Sequence, residues 1–381
     1  MNQEWLYFDY NASTPMATEV VEVMQDSLKA QGHPSSPHPH GRDAANLVEK
    51  SRALVATALH CAPEEIVFCS GSTEASNHVI KGIGLRKPVA EKKLHFISSC
   101  VDHAATTEPL RFLERMGHEV TFLTVDKHGC INPSELESSL QENTILVTLI
   151  HGQNEVGTLQ PLTEIGEICQ NREVLFHVDA SQSFGKVPIQ VDELKADFLN
   201  IAGHKIYGPK GVGALYIRKG RTLEPLLHGG GHEKGWRSGT PAPQLLAGLG
   251  KACGLVTELG PLTSQPADNL AKLLSEQLGS RVRRNGHPEH RLPNVLHLTF
   301  EGVNGRELLN RAQISASTGA ACHSAACSPV LTAMGFTSAE AAGSVRLSMG
   351  RMTTLKDTEA AASRLLKAYD QLRSQSTVEA Q

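Results

Sequence analysis

Five short segments hold residue types that can do covalent or acid–base chemistry. In AGHKIYGPKG, Lys205 follows an apolar run and precedes a Gly-rich turn. Burying an ammonium there is costly. An imine with an aldehyde cofactor removes that cost, because burial lowers the amine pKa. In LFHVDASQSFG, Asp179 closes another apolar run, where open α/β sheets place ligand contacts. In CSGSTEASNH, Gly71 and Ser72 open a helix whose free N–H groups and hydroxyl form an anion site, with Thr73 adding a second hydroxyl. In ISSCVDHAAT, His103 follows a strand end, where its ring can stack on a planar group or move protons near neutral pH. In ASTGAACHSAACSPVL, Cys322 lies beside His323 among small residues, a setting that favours thiolate.

Each segment also has a plain reading. Lys205 fits a surface strand-exit loop, Asp179 a helix-capping turn, and SGST an ordinary N-cap. His103 is one of 18 histidines. Arrangement favours the chemical reading: the first four segments each lie just after an expected strand, and such carboxyl ends gather on one side of a parallel sheet. An amine, an acid, a phosphate site and a ring partner are together what pyridoxal 5'-phosphate (PLP) requires. The acid keeps the pyridine nitrogen protonated as an electron sink. Cys322 and Cys327 could bind metal, form a redox disulfide, or act as a nucleophile with a bystander. A lone Cys-x₄-Cys is weak as a zinc site, so no metal site is expected and Cys327 is taken as the bystander.

The elements that must position these residues are legible as alternating short and long patterns. Apolar, β-branched runs occur at 66–69, 96–99, 120–125, 144–150, 174–179, 198–202 and 213–217. Helical patterns lie between them at 18–31, 44–59 and 74–84. The alternation predicts an α/β domain with a mostly parallel seven-stranded sheet covered on both faces. From about Gly254 the texture changes to a helix over 267–279, a strand over 295–300, the small-residue segment 316–326, a strand over 344–349 and a C-terminal helix. We read a large PLP-binding domain over 16–253. A smaller α+β domain is formed by 1–15 with 254–381 and carries the Cys322 segment.

Composition narrows the class. A chain of 381 residues exceeds one simple core. Its net charge of −4 and lack of a Lys/Arg-rich run argue against direct nucleic-acid binding. The apolar run 144–150 is far shorter than the roughly 20 residues that span a bilayer, and no signal-peptide pattern opens the chain. Eight scattered cysteines read as reduced thiols, so a cytoplasmic location is expected.

These segments, with YFDYNASTP, GHPSSPHPHGRDA, GQNEVGTLQP, HVDASQSFGK, HGGGHEKGWRSGT, TGAACHS and SVRLSMGRMTT, give the chain a clear resemblance to the cysteine desulfurases and selenocysteine lyases. These are class V members of the aspartate-aminotransferase-like PLP enzymes. The resemblance spans nearly the whole chain and implies a fold-type I homodimer with active sites at the subunit interface. It implies that Lys205 carries PLP, Asp179 pairs with the pyridine nitrogen and Gln182 bonds the ring hydroxyl. His103 would stack on the ring and assist proton transfer. Ser72, Thr73 and His204 would hold the phosphate, with Thr240 reaching in from the partner subunit. Asn154 and Arg346, with Asn11, would bind the substrate, Arg346 as a bidentate fork. Cys322 would take the sulfur as a persulfide, leaving L-alanine.

Two features mix the subgroup signal. Many cysteine desulfurases carry Ser where this chain has Ala202, and an apolar residue there is more similar to the selenocysteine lyases. HGGGHEKGWRSGT is more similar to bacterial cysteine desulfurases. Three functions follow. The first is a cysteine desulfurase supplying an acceptor in iron–sulfur or thio-modification pathways. The second is a selenocysteine lyase. The third is a PLP-fold scaffold, against which the joint presence of Lys205, Asp179 and Cys322 argues.

Overall fold

The computed structural model describes residues 4–29, 31–86, 92–318 and 328–379, with side chains of the last helix through 375. All seven apolar runs form strands, and their ends differ from expectation by at most two residues. Their order across one sheet is Ile66–Cys69, Gly213–Ile217, Phe198–Ala202, Leu175–Asp179, Thr144–Ile150, His95–Ser99 and Glu119–Leu123. Gly213–Ile217 runs antiparallel to both neighbours, and every other pairing is parallel.

The continuous apolar runs follow from burial on both faces. Successive side chains point to opposite sides of a strand. Ile66 and Phe68 therefore join a core with Val55, Leu59, Leu246 and Leu249. Val67 and Cys69 join another with Val79, Ile83, Leu110 and Leu113. Each fully buried Leu, Ile or Val contributes roughly 1.5–3 kcal/mol. Truncating Leu199, fully buried in a central strand, would cost about 2–5 kcal/mol.

A third core gathers Leu270, Leu274, Leu298, Phe300, Leu347, Leu365 and Tyr369. It lies against an antiparallel sheet ordered Ser317–Thr318, Ser344–Ser348, Val295–Phe300, Val282–Arg284. The N-terminal segment links this unit to the large sheet. Phe8 is in the third core, and Leu6–Tyr7 pairs with Ile314–Ser315. Thr14 then donates from both N–H and hydroxyl to the His204 carbonyl, each at 3.0 Å.

Helix Pro243–Leu259 runs straight through the change of texture near Gly254. Its glycines lower helix propensity but allow close packing. A Cβ at Gly250 would lie 2.8 Å from the Ser51 Cα of helix Pro39–Leu59. No helix among the described residues is long and apolar enough to cross a membrane.

Candidate active site

Helix Ser72–Gly84 starts directly beyond strand Ile66–Cys69, with Gly71 as N-cap at φ +147°. That conformation is essentially reserved for glycine. The next strand is equally close, since a Cβ at Gly213 would lie 2.8 Å from the Gly71 Cα. The first N–H groups of the helix have no intrahelical acceptor, and Gly71, Ser72 and Thr73 line a cavity of about 450 Å³.

His103 follows strand His95–Ser99 and caps helix Ala104–Arg115, its Nδ1 accepting from the Ala105 N–H at 3.1 Å. The neutral ring therefore carries its proton on Nε2, and the residue is exposed at the cavity wall. Asp102 braces this turn. Its carboxylate accepts from Ser98 Oγ at 2.9 Å, from Ser99 N and Oγ at 2.7 Å, and from Ile150 N at 2.5 Å. Burial pushes its pKa up to about 6 against the pull of those donors.

Asp179 ends strand Leu175–Asp179. Its Oδ1 accepts from Ser181 N at 3.0 Å, Asn200 Nδ2 at 2.8 Å and the Ser181 hydroxyl, while Oδ2 takes none of these bonds. Behind Asp179 lies a neutral relay. Asn200 Oδ1 meets His177 Nε2 at 2.7 Å, and His177 Nδ1 meets Thr148 Oγ1 at 2.7 Å. Burial lowers the His177 pKa to about 4, so the ring is uncharged at neutral pH.

Lys205 follows strand Phe198–Ala202, and its Nζ donates to the carbonyls of Asn11 at 2.5 Å and Ala12 at 3.0 Å. Burial, then Arg346, lowers its pKa to about 8, opposed by Asp179 and Asp9. Beside it, His204 is lowered to about 4 by burial and by Lys205, Lys210 and Lys186. The cavity thus places an amine, a carboxylate, a helix N-terminus and a histidine around one space, with Ala12, Asn154, Gln182, Ala202 and Lys210 completing its wall.

The class-V aminotransferase family model matches residues 6–360. Cysteine desulfurase IscS of Dictyoglomus turgidum is 39% identical over 97% of this chain and 95% of its own length. IscS of Methanosarcina thermophila is 42% identical over 93% of this chain and 89% of its own. The chain belongs to the class-V aminotransferases, on the cysteine desulfurase branch. A solved NifS-like protein superposes with a TM-score of 0.87 at 34% identity, covering 97% of this chain and 99% of that one. The structure of SspA in complex with cysteine has a TM-score of 0.81 at 36% identity, covering 90% and 98%. The cofactor of this branch is PLP.

The residues present fit that cofactor. The cavity volume lies in the range of small-molecule sites. The helix N-terminus at Ser72 and Thr73, with the nearby Lys210 cation, suits a phosphate. Asp179 has an uncommitted carboxylate oxygen, and Lys205 is an amine that burial holds partly neutral near pH 8. His204 is tied by Nδ1 to Ser13 Oγ at 3.3 Å, leaving Nε2 for a phosphate contact.

Five further positions singled out in the sequence lie as follows. Asn11 is fully buried behind the wall. Its side chain bonds Lys186, Asn294 and Asn154, and it braces the wall from behind. The Arg346 fork bonds Asp9 and Ser317, each at 2.7 Å, and the Asn154 carbonyl at 3.0 Å, so a carboxylate of the chain holds it instead of lining the cavity. Thr240 is exposed and lines a neighbouring cavity of about 170 Å³ that shares Ser70 and Gly211 with the first. Cys322 and Cys327 lie outside the described residues. The described chain to either side bonds residues next to Asn154 of the cavity wall: Ser317 at Arg346, and Ser328 Oγ donating to Glu155 Oε2 at 2.6 Å.

The sequence reading missed Ser181, His177, Asn200, Lys186 and Lys210. Two carried a signal. His177 and Asn200 are polar residues inside otherwise apolar strand runs, and a buried polar group needs a partner.

Proposed function

We propose that this protein is a PLP-dependent cysteine desulfurase that converts L-cysteine to L-alanine and leaves the sulfur as a persulfide on Cys322. The observation that carries the reading is the convergence of Lys205, Asp179, His103 and the Ser72–Thr73 helix start on one cavity, in a chain of this family. When bound, PLP supplies an electron sink for the charge that develops at the substrate's Cα.

The chain's own groups supply the rest. Lys205 Nζ has a free lone pair in part of the population near pH 8 and can take the Cα proton. The Asp179 carboxylate holds a positive partner opposite the sink. His103 Nε2–H exchanges a proton at the exposed wall. The Cys322 thiolate attacks the substrate sulfur: an S–S bond forms, the C–S bond breaks, and its electron pair ends with a proton on the former Cβ. L-cysteine and a thiol thus become L-alanine and a persulfide, with atoms balanced. A protein or small thiol then accepts the sulfur.

The described cysteines support Cys322 as acceptor. Burial holds the thiols of Cys61, Cys69, Cys100, Cys130, Cys169 and Cys253 above the ordinary value, and none lines the cavity. All six are free thiols, which suits a reducing, cytoplasmic setting. The homodimer belongs to this reading, because Thr240 sits outside its own chain's cavity and would serve the partner's. So does the division into 16–253 and 1–15 with 254–381, supported by the separate core around Phe8, Phe300 and Leu365.

Ala202 in the cavity wall keeps L-selenocysteine as a second substrate. A selenol is ionised at neutral pH, whereas a thiol with pKa about 8.5 mostly is not, so selenium leaves with less help. The test assays both substrates in wild type and Cys322→Ala, and maps trapped persulfide by mass spectrometry. Alanine from L-cysteine and persulfide on Cys322 are expected, with the variant retaining only selenocysteine cleavage. Normal desulfuration by Cys322→Ala would overturn the assignment.

A further inference from the structure

Lys186 lies four residues after Gln182, is 3% exposed, and meets no carboxylate among the described residues. Its Nζ donates to Asn11 Oδ1 at 2.9 Å and to Gln182 Oε1 at 2.8 Å. Both partners are neutral amides, and the charges that act on it are the cations Lys205 and Arg346. Buried lysines are normally paired with an acid. Two of its N–H donors are used in these bonds, and no third acceptor lies among the described residues. Burial and the two cations also hold the Lys186 pKa well below the usual lysine value.

We propose that Lys186 is a positioning residue whose amine fixes the carboxamides of Gln182 and Asn11, so that Gln182 presents an N–H and Asn11 a main-chain oxygen to the PLP site. This rests on the reading of Gln182 as the partner of the cofactor's ring oxygen. Only the oxygen end of a carboxamide can accept from an amine. With Oε1 turned to Lys186, Gln182 Nε2 turns to the Asn11 carbonyl at 2.9 Å and keeps one N–H at the cavity wall. With Oδ1 turned to Lys186, Asn11 Nδ2 turns to the Asn154 carbonyl at 3.2 Å. The Asn11 carbonyl then receives Gln182 Nε2 and Lys205 Nζ together. One amine sets the direction of two amides and of the oxygen on which the reactive lysine rests.

The test is a double-mutant cycle of Lys186→Met and Gln182→Ala, read as the PLP dissociation constant and the pH titration of the bound cofactor's absorbance. Melting of each apo-protein checks the fold. Lys186→Met should weaken PLP binding about 10-fold, the scale of one lost buried hydrogen bond. The double variant should bind more tightly than the product of the two single losses, because part of the Lys186 effect runs through Gln182. Lys186→Gln, which keeps an N–H donor, should recover part of the loss. An affinity for Lys186→Met within about two-fold of wild type, or losses that multiply in the double variant, would overturn the proposal.

Failure of the underlying functional reading looks different, because wild type itself would then bind no PLP.

Discussion

Lys205 Nζ lies 2.5 Å from the main-chain oxygen of Asn11, 194 positions earlier in the sequence. The N-terminal segment thereby positions the reactive amine while its own start, at Phe8, is packed into the third core. The site depends on chain from both ends of the molecule.

That environment predicts a pH dependence. Burial and Arg346 lower the Lys205 pKa to about 8 from 10.5, and only the unprotonated amine adds to an aldehyde. The rate at which apo-protein captures PLP should rise about tenfold per pH unit below 8 and level off above it. Stopped-flow absorbance checks this. A rise continuing past pH 10 would mean that Lys205 titrates as an ordinary exposed lysine.

Asp179→Asn tests the acid. The amide can still accept from Ser181 or Asn200 but cannot hold a positive charge opposite it. Turnover of L-cysteine should fall about 10²-fold or more, with the melting temperature little changed. Unchanged kcat would remove Asp179 from the cofactor site.

Asp102 offers a stability test in which two effects compete. Its burial favours the neutral form, yet four donors converge on it, and a pKa of about 6 leaves it ionised at pH 7.5. An Asn would turn an N–H toward one of those donors. Asp102→Asn should therefore lose about 1–3 kcal/mol in urea unfolding, although it deletes a buried charge. A gain in stability would show that burial outweighs the hydrogen bonds.

The strands were legible because burial on both faces leaves few polar positions in them, and runs such as Thr144–Ile150 announce themselves. The carboxyl-end cluster was legible for a related reason: a parallel sheet gathers its strand ends wherever the helices lie. Helix Pro243–Leu259 was obscured by glycines whose purpose is close packing against Pro39–Leu59, a tertiary contact that local propensity does not record. His177 and Asn200 look like flaws in a strand until their partners across the sheet are known. Arg346, which the resemblance implies for a substrate carboxylate, bonds Asp9 within the chain, a contact across 337 positions that no local pattern records.

Thr240 tests the proposed sharing of sites between subunits. If each site draws Thr240 from its partner, mixing Lys205→Ala and Thr240→Val subunits gives heterodimers in which one site carries both defects and the other neither. Activity should partly return in verified heterodimers. No recovery would mean that Thr240 serves its own chain or no site at all.

The most direct measurement concerns Lys205 itself. Holoenzyme is reduced with borohydride, digested and mapped by mass spectrometry. The phosphopyridoxyl group should be found on Lys205 and should be absent in Lys205→Ala, which should also lose turnover of L-cysteine. The group on Lys186 or Lys210, or a Lys205→Ala protein that still turns over L-cysteine, would contradict the account.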